Sequence, residues 1–112
     1  MIKRSSLSVH PSAPIDLVAV TVGGCQVLLA WTEGEAGALG FHIERATRNC
    51  PSSPFAEIGG VGPHVTAFRD GSVDPHAVYS YRVHAWNAFG DSSSSNAVEV
   101  TLPQTGTDLL PE

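Results

Sequence analysis

Seven short runs of apolar–polar alternation divide the chain. They are Leu17–Val22, Gln26–Trp31, Gly40–Thr47, Phe55–Ile58, Val65–Phe68, Val78–Asn87 and Asn96–Thr101, with Gly, Pro, Asp or Ser between them. In Gly40–Thr47 the residues Phe41 and Ile43 fall on one side, and His42 and Glu44 on the other. A period of two, β-branched and aromatic enrichment and fairly regular spacing predict an all-β sandwich or barrel. Helices are a poor alternative. No stretch keeps apolar residues at i, i+3, i+4 and i+7 over three turns, and eleven Gly and eight Pro would interrupt one.

Length narrows this to one domain. A chain of 112 residues can bury a sizeable core without a metal or a disulfide. Residues 1–10 read as a polar lead-in, 11–103 as the folded domain, entered through Pro11-Ser-Ala-Pro14, and 104–112 as a linker-like tail. Met1-Ile-Lys-Arg4 has the charge of a signal-peptide start, but Ser5, Ser6, Ser8 and His10 break up the apolar segment that should follow. The expectation is a cytosolic chain or a piece of a longer protein. A net charge of −5 disfavours nucleic acid as a partner. No apolar run approaches the ~20 residues of a membrane span.

More specific patterns are superimposed on the strands. Pro11-x-x-Pro14-x-x-Leu17 opens the first, and Val27-x-Leu29-x-Trp31 forms the second. Phe41-x-Ile43-x-Arg45, Phe55-x-x-Ile58, Thr66-x-Phe68-x-Asp70 and Val73-x-Pro75 follow in order. Tyr79-x-Tyr81-Arg82-Val83-x-Ala85-x-Asn87-x-x-Gly90-x-Ser92 and Ser95-Asn96-x-Val98-x-Val100 close the set. In order and spacing, residues 11–103 resemble a fibronectin type III domain. The resemblance implies a seven-stranded antiparallel immunoglobulin-like sandwich of two sheets. Val27, Leu29 and Trp31 would face Phe41, Ile43, Tyr81, Val83 and Ala85 across its core. Tyr79 would be the tyrosine-corner residue, its hydroxyl bonded to backbone a few residues upstream.

Catalytic chemistry is not legible. Ser, Cys, His and carboxylates are present, but none lies in a nucleophile context. Gly59-Gly-Val-Gly62 lacks the Lys-Ser/Thr and the helix that a phosphate cradle needs, and reads as a turn between two short strands. Glu33 and Glu35 read as solvated turn residues. No enzyme activity, cofactor or metal is therefore expected. His42 and His84 would be neighbours on the family's sheet, but two ligands make only a weak Zn²⁺ or Cu²⁺ site. They read as exposed polar positions. His10, His64 and His76 fall in loops.

Cys25 and Cys50 would share one pole in the family's topology. A disulfide between them is possible if their Cα atoms lie within about 7 Å, with two free thiols as the alternative. Leu102-Pro-Gln-Thr-Gly106 matches the pattern that sortases cleave. No apolar span and basic tail follow it, so it reads as chance within a linker. Phe89-Gly-Asp91 stands where some family members carry Arg-Gly-Asp. Without the arginine, integrin binding is not carried over.

The outer face of the third and sixth strands is the candidate interaction surface. Alternation exposes His42 and Glu44 on one, and Arg82, His84 and Trp86 on the other. Trp and Arg are favoured binding anchors. The resemblance implies a non-catalytic module, a spacer or a protein-interaction domain of a larger and bacterial multidomain protein. It would be monomeric, at the cell surface or outside the cell, with a cytoplasmic setting as the alternative. Its partners would be neighbouring or partner protein domains. The competing reading is a carbohydrate-binding accessory module of a secreted polysaccharide-degrading enzyme, with Trp86 stacking on polysaccharide.

Overall fold

The alternating runs pair into two antiparallel sheets in the computed structural model, which describes residues 10–34, 37–49 and 52–103. Eight strands follow one another: β1 (Ile15–Val22), β2 (Gln26–Thr32), β3 (Gly40–Thr47), β4 (Ala56–Val61), β5 (Ala67–Asp70), β6 (Val78–Asn87), β7 (Gly90–Asp91) and β8 (Val98–Thr101). One sheet has the order β1-β2-β5. The other has the order β4-β3-β6, with β7 and β8 both pairing along the far side of β6. The expected seven-stranded sandwich is present, its last strand divided in two.

The core lies where alternation directs it. Val27, Leu29 and Trp31 from one sheet meet Phe41, Ile43, Tyr81, Val83 and Ala85 from the other, and all are buried. Trp31 meets Phe41 edge-on at 5.6 Å between ring centroids. Burying each large side chain stabilises by roughly 1.5–3 kcal/mol, enough for a two-layer sandwich to hold together. The Tyr79 hydroxyl accepts the Asp74 N–H at 3.0 Å, five residues upstream, as a tyrosine corner should.

Three local expectations are corrected. First, Gly59 and Gly60 do not close the fourth strand; they lie inside β4, so Gly59–Gly62 is no simple turn. A Cβ at Gly59 would lie 2.7 Å from the Phe68 ring, so the bare backbone leaves room for Phe68 to pack. Second, β5 starts two residues late and takes in Asp70, which is only 3% exposed rather than a turn residue.

Third, the last strand is interrupted, and serine side chains span the gap. Ser92 donates its N–H to the Ala85 carbonyl at 2.8 Å, and its Oγ accepts the Ala85 N–H at 2.8 Å. Ser95 does the same with Val83, at 2.7 and 3.0 Å. Each Oγ stands in for the backbone carbonyl that a regular ladder would supply. Ser92 and Ser95 thus carry the hydrogen bonding along β6 across the break. Asn96 then crosses to the other sheet. Its Oδ1 accepts the Leu17 N–H at 2.9 Å and its Nδ2 donates to the Leu17 carbonyl at 3.0 Å.

Candidate interaction face

Register builds the face. β3 and β6 run antiparallel with Gly40 opposite Trp86, His42 opposite His84 and Glu44 opposite Arg82. Directly opposed residues share one side of the sheet. The five residues singled out from the sequence therefore form one outward stripe, with Gly40 as the sixth member. β4 widens it, since Glu44 pairs with Glu57 and His42 with Gly60.

Side-chain contacts gather the stripe into two neighbouring clusters. Arg82 Nε donates to Glu44 Oε1 at 2.6 Å, while the guanidinium lies 4.0 Å from the Phe55 ring centroid. Arg48 approaches the same ring at 5.2 Å. His42 Nδ1 bonds Glu57 Oε2 at 3.1 Å. The imidazoles of His42 and His84 are 5.2 Å apart between centroids, tilted by 46°. His42 also stacks on Trp86 at 5.8 Å, with 25° between the planes. His84 Nε2 lies 3.8 Å from Asp91 Oδ2. The result is a polar–aromatic strip bearing both signs of charge.

Trp86 owes its position to a glycine. A Cβ on Gly40 would lie 2.8 Å from Trp86 Nε1 and 2.6 Å from the Val61 carbonyl oxygen. The indole therefore settles onto bare backbone and is half-buried. With His42 stacked on it, it is less open than an outward tryptophan reads from sequence.

Two groupings escaped the sequence reading. One is a polar clamp between the sheets. Asp70 Oδ2 accepts from the Tyr81 hydroxyl at 2.6 Å and from Arg45 at 2.8 Å; Oδ1 accepts from the Ser72 N–H at 3.1 Å and its hydroxyl at 2.9 Å. Arg45 also lies 4.7 Å from the Tyr79 ring centroid. Burial works against the Asp70 charge, but the bonds from Tyr81, Ser72 and Arg45 outweigh it and hold the carboxyl below its usual range. Burial drives the Tyr81 hydroxyl well above its usual value, and its bond to Asp70 acts the same way. Burial likewise opposes the Arg45 charge, and Asp70 more than offsets it. Perturbed groups often mark active sites. Here both carboxylate oxygens are already engaged, so the cluster reads as structural. Asp70 beside Gly71 looks like a turn, and its signal in sequence was its period-two step from Phe68.

The other is an apolar outer face on the three-stranded sheet. Val18, Ala30 and Ala67 form one cross-strand row, and Val20, Leu28 and Arg69 the next. Val18 and Val20 are 57% and 55% exposed. Leu17–Val22 is nearly uniform in apolar character, so alternation could not say which half would face out.

The remaining sequence candidates do not converge. His64 pairs with Glu33 at 3.2 Å, away from the stripe. Cys25 is exposed in the turn between β1 and β2, whereas Cys50 lies outside the described residues, as do Glu35 and the end of the Leu102–Gly106 pattern. Among the described residues no group of three or more His, Cys, Asp or Glu is arranged to hold a metal ion. No helix there is long and apolar enough to cross a membrane.

No family model matches the chain, and no curated protein matches it significantly. Solved structures do. A titin multidomain fragment superposes with a TM-score of 0.71 at 21% identity, over 84% of this chain and 32% of the fragment. The FN1–FN3 domains of chicken contactin give 0.72 at 15%, over 86% of this chain and 33% of theirs. The FN5 domain of Drosophila Lar gives 0.68 at 22%, over 83% of this chain and 97% of that domain. The chain thus spans about a third of the first two and nearly all of the third. Two sheets in this strand order, a tyrosine corner and these superpositions give the chain the fold of a fibronectin type III domain.

Proposed function

We propose that this chain is a non-catalytic module of a larger protein that binds a partner protein domain through the outer face of β4, β3 and β6. Domains of this fold sit within larger proteins as spacing or interaction modules. One observation carries the present reading: the strip in which strand register lines up Arg82 and Glu44, with Phe55 against Arg82, beside His42, His84 and Trp86. It combines aromatic and arginine anchors with a charged rim, the composition of a protein-binding surface. A bacterial origin and a cell-surface setting remain part of the proposal.

The apolar face of Val18, Val20, Leu28, Ala30 and Ala67 favours a second use, packing against an adjoining domain, which is the spacer role. The polysaccharide reading has less support. Stacking on His42 and seating on Gly40 leave Trp86 a smaller free platform for a sugar ring.

Site-specific photo-crosslinking in the native host tests this. A crosslinker at Glu57 or Arg82 is expected to give a discrete protein adduct that Trp86→Ala abolishes. Adducts only from Val20 would move the interaction to the other sheet. Retention on polysaccharide gels, lost in Trp86→Ala, would replace the proposal with the sugar-binding reading.

A further inference from the structure

We propose that His42 and His84 form a two-imidazole site for a borderline divalent transition metal, Cu²⁺ above all and Zn²⁺ more weakly. The site does not depend on a protein partner docking on the same face.

Geometry is the first argument. Imidazole nitrogen binds these ions at about 2.0–2.1 Å, which puts each ring centroid about 3.2 Å from the metal. Two such rings have centroids about 5.2 Å apart at the tetrahedral angle of Zn²⁺ and about 4.5 Å apart at the right angle of tetragonal Cu²⁺. The separation here is 5.2 Å and the rings, tilted by 46°, are not stacked face to face; side-chain rotation that draws them about 0.7 Å closer suits Cu²⁺. The residues are directly opposed on adjacent antiparallel strands, so two rigid backbones hold that spacing before any ion arrives.

The surroundings are the second argument. Glu57 Oε2 lies 3.1 Å from His42 Nδ1. A carboxylate only accepts, so Nδ1 carries the proton and Nε2 is left as the basic atom. A carboxylate behind a histidine is the usual support of a metal-ligating imidazole. Asp91 Oδ2, 3.8 Å from His84 Nε2, adds negative charge on the other side. Stacking on Trp86 limits rotation of the His42 ring. The protein supplies two nitrogen donors, and water completes the coordination sphere. Two imidazoles without thiolates favour Cu²⁺ over Zn²⁺ by the general affinity order of these ions.

Titration with Cu²⁺ alone at pH 7.5, read by tryptophan fluorescence, tests the site, because Trp86 lies against His42. One equivalent is expected to quench Trp86 at micromolar metal. His42→Gln and His84→Gln should each weaken binding at least tenfold, and Glu57→Gln several-fold. Cys25→Ser should leave it unchanged. His84 is largely covered, so the unaltered protein provides a second readout that needs no variant. Substoichiometric Cu²⁺ should broaden the ring resonances of His42 and His84 before those of His10, His64 and His76. Equal broadening of all five, or quenching abolished by Cys25→Ser, would overturn the assignment. So would unchanged affinity in folded His42→Gln.

Discussion

The Tyr81 hydroxyl donates to Asp70 at 2.6 Å and thereby ties β6 of one sheet to β5 of the other. Arg45 reaches the same carboxylate oxygen from β3. Removing one partner of a buried charged pair costs about 3–5 kcal/mol, since the other is left uncompensated. Asp70→Ala should fall in that range. Tyr81→Phe should cost less, about 1.5–3 kcal/mol, the worth of a hydrogen bond to a charged group. Urea unfolding of the two variants checks both.

The clamp also sets two pH limits. Asp70 is held below its unfolded value, so its stabilisation is complete above about pH 4 and fades as pH falls through the folded value. Tyr81 is raised, so its contribution is complete below about pH 10 and fades as pH climbs toward the folded value. The urea midpoint should therefore decline at both extremes. Tyr81→Phe should flatten the alkaline limb and Asp70→Asn the acid limb.

Ser95→Ala should remove the acceptor for the Val83 N–H, which lies within the sheet. An unsatisfied buried donor costs about 1–3 kcal/mol. Ser93→Ala, at an exposed neighbouring position, should stay within about 0.5 kcal/mol of the parent. Faster hydrogen exchange at the Val83 amide in Ser95→Ala alone would locate the effect.

Gly40→Ala should disturb fold and face together. Its methyl would meet the Val61 carbonyl at 2.6 Å, and backbone paired within a sheet cannot step aside as a side chain can. Overpacking of this kind costs about 1–3 kcal/mol. Trp86 should be pushed outward, with a red shift in its emission. A variant with parent stability and unshifted emission would show that the seat is looser than described.

Legibility from sequence followed how many physical causes each position serves. The core residues from Val27 to Ala85 were readable because one cause, burial on alternate positions, decides them. So was the stripe from His42 to Trp86, since it is the complement of that core. Gly59 and Gly60 were not, because glycine marks turns more often than it makes room for an aromatic ring from the facing sheet. Asp70 and the serines were missed for a related reason. Their side chains replace or bridge backbone and sheet partners that are distant in sequence, and no local pattern records a partner. The apolar face of β1 was hidden because its inward and outward residues are alike.

The Asn96 amide on Leu17 has a consequence for any tandem arrangement of this domain. β1 pairs with β2 on one side only, and a strand with an open, apolar margin is a template for another chain. Sibling domains on one polypeptide meet at high local concentration, where such templating leads to misassembly. Asn96 occupies the donor and acceptor of Leu17 on that margin, so an incoming strand must first displace a bidentate bond. In tandem copies, one amide side chain would thus stand against strand exchange, and its removal should show in their co-aggregation before it shows in the stability of a single copy.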